Sequence, residues 1–309
     1  MEAVNQVIRR ELHSDVTLIK QIAEYIISAG GKRIRPALVL LFANACGYRG
    51  HHHHTLAAII EVVQTSPLLH DDVVDESTLR RGQPTSNAMF GNAASVLVGD
   101  FLYSRAFQML VSVDNMRVMD VLADATNIIA EGEVLQLMNM RDPEVTEERY
   151  RQIIHAKTAK LFEASACIGA LIGGATDEQF AAAAECGHGL GMAFQLVDDM
   201  LDYTGSLEQI GKNLGDDLRE GKMTLPLIHL MRHGTEQQRQ LVRNSIRHGD
   251  ENNFDAILAA IAACGGLDYT KRQADKAAAA AAAALIHFTD SQFKESLLKL
   301  CAFAAARKY

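Results

Sequence analysis

The chain has 309 residues, 48% of them apolar, and a net charge of −8 from 30 basic and 38 acidic residues. That length and apolar content allow one large core or two ordinary ones, and the acidic balance argues against a nucleic-acid surface. Five scattered cysteines without a CxxC pair, no apolar leader in "MEAVNQVIRRELHSD" and no apolar run of about 18 residues predict a cytoplasmic protein with reduced thiols and no membrane span.

Apolar residues recur at helical spacing nearly throughout, and strand-like alternation is hard to find. "GGKRIRP" (Gly30–Pro36) sets Lys32, Arg33 and Arg35 behind two glycines, with Pro36 at the start of a helix. "ALVLLFANACG" reads as a buried helix ended by Gly47. His51–His54 follow "CGYRG" and read as a solvated loop, and "TLAAIIEVVQ" opens the next helix with Thr55 as its N-cap. That helix continues into "QTSPLLHDDVVDESTLRRG" (Gln64–Gly82), where Pro67 interrupts the pattern.

"ASVLVGDFLYSRAFQMLVSV" and "MRVMDVLADATNIIAEGEVLQLMNM" are apolar on more than one face, as helices inside a large bundle are. "TEERYRQIIHAKTAKLFEASACIGALIGG" starts at a capping Thr146 and closes on Gly173 and Gly174. The interior glycines of "DEQFAAAAECGHGLGMAFQLVDDMLDYTG" mark close approach of a neighbouring helix or a ligand. Farther on, Ala277–Ala284 is helix propensity at its strongest and reads as structural filler. With no linker and no repeat of roughly 20–50 residues, the pattern predicts a single all-α domain over residues 1–309, of about a dozen helices.

Two clusters carry chemistry. Asp71, Asp72 and Asp75 have the spacing DDxxD. At about 100° per residue, Asp71 and Asp75 lie about 40° apart on a helix, with Asp72 about 60° from Asp75. Asp198, Asp199 and Asp202 in "FQLVDDMLDYTG" repeat the spacing, again after an apolar run. A solvated charge face is the usual reading of such a patch, but the flanking Leu68, Leu69, Val73 and Val74 oppose it. Carboxylates crowded in a shared interior raise one another's pKa, and divalent ions remove that penalty. Mg²⁺ takes oxygen ligands, one or two of them protein carboxylates, and completes its shell with water and phosphate. The pattern therefore implies a bound diphosphate. Cations to meet it are available in Lys32, Arg33 and Arg35, in Arg80 and Arg81 of "RRG", in Lys157 beside Thr158, and in Lys212 and Lys222.

Taken together, "GGKRIRP", "LLHDDVVDESTLRRG", "KTA", "FQLVDDMLD" and "GKNLGDDLREGKMTLPL" resemble the trans-isoprenyl diphosphate synthases, the polyprenyl synthetase family, in the family's order from Gly30 to about Leu230. The chain is most similar to the bacterial long-chain members, which make octaprenyl diphosphate for quinone side chains. The resemblance implies an isoprenoid-synthase bundle around a central cavity, acting as a cytoplasmic homodimer. It implies repeated condensation of isopentenyl diphosphate onto an allylic diphosphate such as farnesyl diphosphate. Two or three Mg²⁺ ions would be held by Asp71, Asp75, Asp198 and Asp202, with Asp72 and Asp199 nearby. Arg80, Lys157, Thr158, Gln195, Lys212 and Lys222 would serve the allylic diphosphate. Lys32, Arg35 and Arg81 would serve isopentenyl diphosphate, with Gln64 in support.

Two departures from the family stand out. Gln64 replaces a usual histidine, and it donates a hydrogen bond but carries no charge. Short-chain members have bulky aromatics at the positions of Ser66 and Pro67, which here leave an opening and a possible bend. The tunnel floor is then expected deeper, among Ile60, Val63, Met116 and Met119. The alternatives are a short- or medium-chain synthase, a class I terpene cyclase, which normally lacks the "GGKRIRP" and "RRG" clamps, and a non-catalytic partner subunit, which usually loses its aspartates. A di-iron bundle needs two ExxH motifs, and only Glu185–His188 has that spacing.

Overall fold

The computed structural model describes residues 1–28, 30–80, 82–204, 214–250 and 252–307, helical apart from loops and one small hairpin. The chain divides into two units. The first comprises Met1–Asp124, Leu161–Gly187 and Leu285–Leu297, and the second Ala125–Lys160, His188–Ala284 and Leu298–Tyr309.

The first unit holds α1 (Glu2–Glu11), α2 (Thr17–Ser28), α3 (Ile34–Ala45) and α4 (His52–Val74). A hairpin follows, β1 (Leu79–Arg80) against β2 (Gln83–Pro84), with Leu79 opposite Pro84 and Arg80 opposite Gln83. Then come α5 (Ser86–Phe90), α6 (Asn92–Val111), the start of α7 (Met116–Asn139), most of α9 (Lys160–Ile172) and the start of α10 (Asp177–Thr204). Leu56, Ala57, Ala58, Ile59, Ile60, Val62 and Val63 are all buried, so the middle of α4 has no solvent face. Burying side chains of this size contributes about 1.5–3 kcal/mol for each larger one. Its neighbours are α1, α3 and α6.

Helix α4 begins four residues earlier than its sequence pattern suggests. His51 stands at the N-cap and His52–His54 form the first turn, so the histidine run opens the helix and Thr55 lies within it. Burial, then the charges of His54 and His51, lower the His53 imidazole to about 4. Helix α4 also runs on through Pro67, which cannot donate to the carbonyl of Val63. Hydrogen bonds to α6 flank that gap: Ser66 Oγ donates to the Gly99 carbonyl at 2.8 Å and Ser95 Oγ to the Leu69 carbonyl at 3.1 Å. A Cβ on Gly99 would fall 2.3 Å from His70 Nε2, so a larger residue there would have to displace the imidazole. The α3–α9 contact depends on glycine more strictly, because a Cβ on Gly169 would meet the Val39 carbonyl at 2.6 Å.

The second unit contains the rest of α7, α8 (Glu147–Ile154), a π-helical turn (His155–Ala159) and the rest of α10. It continues with α11 (Asp216–Glu220), α12 (Leu225–His233), α13 (Glu236–His248), α14 (Phe254–Cys264), α15 (Gly266–Ala284) and most of α16 (Gln292–Ala306). Thr146 caps α8, accepting from the Arg149 amide, as its sequence predicts. Thr235 and Gln238 form a reciprocal capping box on α13. Leu196, Val197, Leu201, Leu218, Leu227, Val242, Ile246 and Ile261 share one core. The alanine run in α15 is more than filler: a Cβ on Gly189 of α10 would meet the Ala277 carbonyl at 2.7 Å and the Ala281 Cβ at 3.1 Å. Small residues on both helices set that close packing. Among the described residues, no helix is long and apolar enough to cross a membrane.

Candidate active site

In the first unit the aspartates come where α4 runs out of buried surface. Asp71 and Asp72 lie in its last turn, and Asp75 is the C-cap residue, its amide donating to the Asp71 carbonyl at 2.8 Å. The sequence argument from Val73 and Val74 needs correction: Val74 is 63% exposed and Val73 half-buried, so the helix end emerges from the core. The three carboxylates are not equivalent. Asp72 is buried and takes the Arg80 guanidinium on Oδ1, from Nε at 2.8 Å and Nη2 at 2.7 Å. Burial raises the Asp72 carboxyl; Arg80 pulls it back, and the charges of Asp71 and Asp75 add to the rise. The Asp72 carbonyl accepts from the Ser77 amide and Asn87 Nδ2, which ties the chain after α4. Asp71 and Asp75 are half-buried. Arg80 therefore sits beside the predicted cluster, paired with Asp72, and Arg81 lies outside the described residues.

The glycine-rich basic turn precedes α3. Gly30, Gly31 and Arg33 all have positive φ, at 75°, 147° and 49°. Arg33 holds this shape by pairing with the buried Glu61 of α4 and donating to the Ile27 carbonyl at 3.1 Å. It is a structural cation. Lys32 is exposed, and Arg35 is half-buried with its guanidinium 4.3 Å from the Phe162 ring centre. Gln64 is half-buried on α4, about 10 Å along the axis from Asp71.

In the second unit Asp198, Asp199 and Asp202 sit near the end of α10, again in three different settings. The Asp198 side chain is 42% exposed and meets Arg307 Nη2 at 2.7 Å. Asp199 is buried, accepting from Tyr150 OH at 2.5 Å and Gln195 Nε2 at 2.7 Å. Burial and then the charge of Asp217 push its carboxyl up to about 7, against the two hydrogen bonds. Asp202 is fully buried and accepts from the Asp217 amide at 3.2 Å, which orients the start of α11.

The π turn carries Lys157 and Thr158. A Cβ on Gly132 of α7 would come 2.7 Å from Ala156 Cβ and 3.0 Å from the Lys157 amide, so glycine lets the wide turn close on α7. Lys157 Nζ lies 2.6 Å from Glu133 Oε2. Thr158 Oγ1 donates to Gln195 Oε1 at 2.8 Å, which completes a chain from Thr158 through Gln195 and Asp199 to Tyr150. Lys222 is half-buried and pairs with Glu220. Lys212 lies outside the described residues.

The sequence reading missed Glu61, Glu133, Tyr150 and Arg307, none of which sits in a recognisable motif. His51–His54, expected in a solvated loop, open α4 instead, and among the described residues they do not bring three ligand atoms together.

The donors in each cluster are all carboxylate oxygens, the set that suits a hard divalent cation. Asp71 and Asp75 in one unit and Asp198 in the other are within reach of solvent, so a cation is compatible with both clusters. The polyprenyl synthetase family model matches residues 16–264. The chain belongs to that family. Polyprenyl synthetases are metal-dependent prenyltransferases, and this member shares that activity. It is 52% identical to the octaprenyl diphosphate synthase of Escherichia coli (strain K12) over 308 residues, covering 99% of this chain and 95% of that protein. It is 44% identical to the all-trans-nonaprenyl-diphosphate synthase (geranyl-diphosphate specific) of Rhodobacter capsulatus, over 99% of this chain and 94% of that one. Among solved structures, the polyprenyl synthase of Caulobacter crescentus CB15 complexed with calcium and isoprenyl diphosphate superimposes with a TM-score of 0.97 at 42% identity, covering 100% of this chain and 95% of that one.

Proposed function

We propose that this polyprenyl synthetase makes a long-chain product, octaprenyl diphosphate, from isopentenyl diphosphate and an allylic primer such as farnesyl diphosphate, for quinone side chains. The observation that carries the reading is the pair of DDxxD clusters with their associated cations, on a chain 52% identical to an octaprenyl diphosphate synthase. A single catalytic domain agrees with a family match that runs through both units. The cytoplasm suits a chain whose described helices cannot span a bilayer. A homodimer is supported by Leu97 and Val111, large apolar side chains left exposed on α6.

Asp71, Asp75, Asp198 and Asp202 would hold two or three Mg²⁺ ions. When bound, these ions act as Lewis acids that stabilise charge on the departing diphosphate. Arg80, Lys157, Thr158, Lys212, Lys222 and Gln195 would bind and orient the allylic diphosphate. Lys32, Arg35, Arg81 and Gln64 would bind isopentenyl diphosphate. Asp72 and Asp199 take a positioning role in this reading: Arg80 holds the first, and Tyr150 and Gln195 hold the second. In the reaction the allylic C–O bond breaks and its electron pair leaves with diphosphate. The alkene of isopentenyl diphosphate forms the new C–C bond, and the proton lost next passes to the departed diphosphate. Helix walls rich in buried aliphatic residues exclude water from the cation.

Incubating the purified protein with Mg²⁺, farnesyl diphosphate and labelled isopentenyl diphosphate, then sizing the products, tests the reading. A product of eight isoprene units is expected. Products ending at three or four units would overturn the long-chain assignment, and absence of elongation would overturn the activity.

A further inference from the structure

The chain after α16 reaches the second aspartate cluster. Arg307 follows the last residue of that helix, and its amide still donates to the Phe303 carbonyl at 3.0 Å. Its side chain is 1% exposed. The guanidinium lies 3.7 Å from the centre of the Phe194 ring, donates to the Phe194 carbonyl and places Nη2 2.7 Å from Asp198 Oδ1. Phe194 and Asp198 are one turn apart on α10, so Arg307 grips a single face of that helix.

Two details distinguish this grip from a permanent core contact. Arg307 Nε is buried with no hydrogen-bond partner among the described residues, so the seat leaves a donor unsatisfied. Asp198, by contrast, keeps 42% of its side chain exposed, so an incoming ion can reach the carboxylate without opening the core. It is also the most accessible of the three aspartates in this cluster, since Asp199 and Asp202 are buried.

We propose that Arg307 is a stand-in cation: it occupies Asp198 in the metal-free protein and is displaced when a divalent ion takes that carboxylate. This rests on the reading of Asp198 as a metal ligand. Arg307 supplies the counter-charge that keeps Asp198 aimed and neutralised between turnovers, and a metal ion must compete with it. Loading the cluster therefore withdraws the Arg307 side chain from its seat. The C-terminal segment reports on metal occupancy.

Two measurements test this. The first is Mn²⁺ binding followed by electron paramagnetic resonance in the wild type, Arg307→Gln and Asp198→Asn, with no substrate present. Removing a charge-assisted competitor predicts that Arg307→Gln binds Mn²⁺ about 3- to 10-fold more tightly, and that Asp198→Asn loses a site. The second is limited trypsinolysis of the wild type with intact-mass detection, with and without Mn²⁺. Cleavage after Arg307 removes Lys308 and Tyr309 together, and it should be faster with Mn²⁺ although metal binding stabilises the rest of the protein. Equal or weaker Mn²⁺ binding by folded Arg307→Gln, with Asp198→Asn losing its site, would overturn the proposal and leave the metal reading standing. Unchanged Mn²⁺ binding by Asp198→Asn would overturn the metal reading, and the proposal with it. Should Arg307→Gln fail to fold, the wild-type digest decides: cleavage after Arg307 that is unchanged or slower with Mn²⁺ overturns the proposal.

Discussion

Breaking the Arg33–Glu61 pair should cost more than any other single surface-to-core contact of the basic turn. Glu61 is 6% exposed, its second carboxylate oxygen has no hydrogen-bond partner among the described residues, and Arg33 neutralises the first. Arg33→Met leaves that carboxylate buried and uncompensated. Removing one partner of a buried pair costs about 3–5 kcal/mol, and the partial exposure of Arg33 favours the lower end. Arg33 also sits at a φ of 49°, where the pair holds the backbone. At about 2 °C per kcal/mol for a chain of this size, the midpoint of thermal unfolding should fall by about 6–8 °C. Because Lys32 and Arg35 flank Arg33, the KM for isopentenyl diphosphate should rise while that for the allylic primer changes less. Replacing both partners, Arg33→Met with Glu61→Leu, removes the stranded charge and should recover at least half of the lost stability while KM stays high. Thermal unfolding of the two single variants and the double variant completes a cycle. A coupling below about 1 kcal/mol, or an Arg33→Met protein as stable as the wild type, would refute the reasoning.

Other outcomes follow from the same geometry. Burial disfavours the charged form of Glu147, but hydrogen bonds from Arg151 and Tyr269, with the charges of Arg151 and Arg232, outweigh it and hold the carboxyl below its ordinary value. A depressed folded value stabilises above the unfolded value of about 4.5 and is lost as pH falls through the folded one, so Glu147→Gln should flatten the acid limb of a melting-temperature profile between pH 6 and 3. Tyr150→Phe strips a donor from buried Asp199 and should lower stability by about 1.5–3 kcal/mol, measured in urea, with a fall in kcat. Ser66→Phe should destabilise the α4–α6 contact instead of shortening the product, because Ser66 is 1% exposed and bonded to Gly99, whereas Pro67→Phe, at a half-buried position, should shorten it; product sizing distinguishes the two. Gln64→His should lower the KM for isopentenyl diphosphate below pH 7, where imidazole gains charge, and an unchanged KM would show that charge at this position is unimportant.

Helical architecture was legible because apolar spacing survives even where a helix is buried on every side, as in Leu56–Val63 of α4. The two aspartate clusters were legible because their residues are close in sequence. What the clusters do with their aspartates was not legible. Asp71, Asp72 and Asp75 look alike in a string, yet Arg80 takes only Asp72. Asp198, Asp199 and Asp202 look alike too, but their partners come from Arg307, Tyr150 and the Asp217 amide, two of them far away in the chain. Such pairings leave no local period. The burial argument from Val73 and Val74 failed for a related reason: apolar type at a helix end does not fix which side the chain exits. Position 66 shows the same limit. Its small size read as an opening, and only the Gly99 carbonyl shows that the space is filled. Met116, expected on a tunnel floor, is exposed at the start of α7, whereas Ile60 and Val63 are sealed in the core.

The π turn at His155–Ala159 gives this stretch one residue to spare. A wide turn spends one residue more than an α-turn over about the same rise. Removing one residue from it would let the backbone close into a regular α-helix with the phase of α8 nearly unchanged, so Tyr150 would keep its place beside Asp199. What the deletion would remove is the widened backbone itself, which lies against Gly132 of α7 and sets Lys157 towards Glu133 and Thr158 towards Gln195. The extra residue therefore serves the site and not the continuity of the helix.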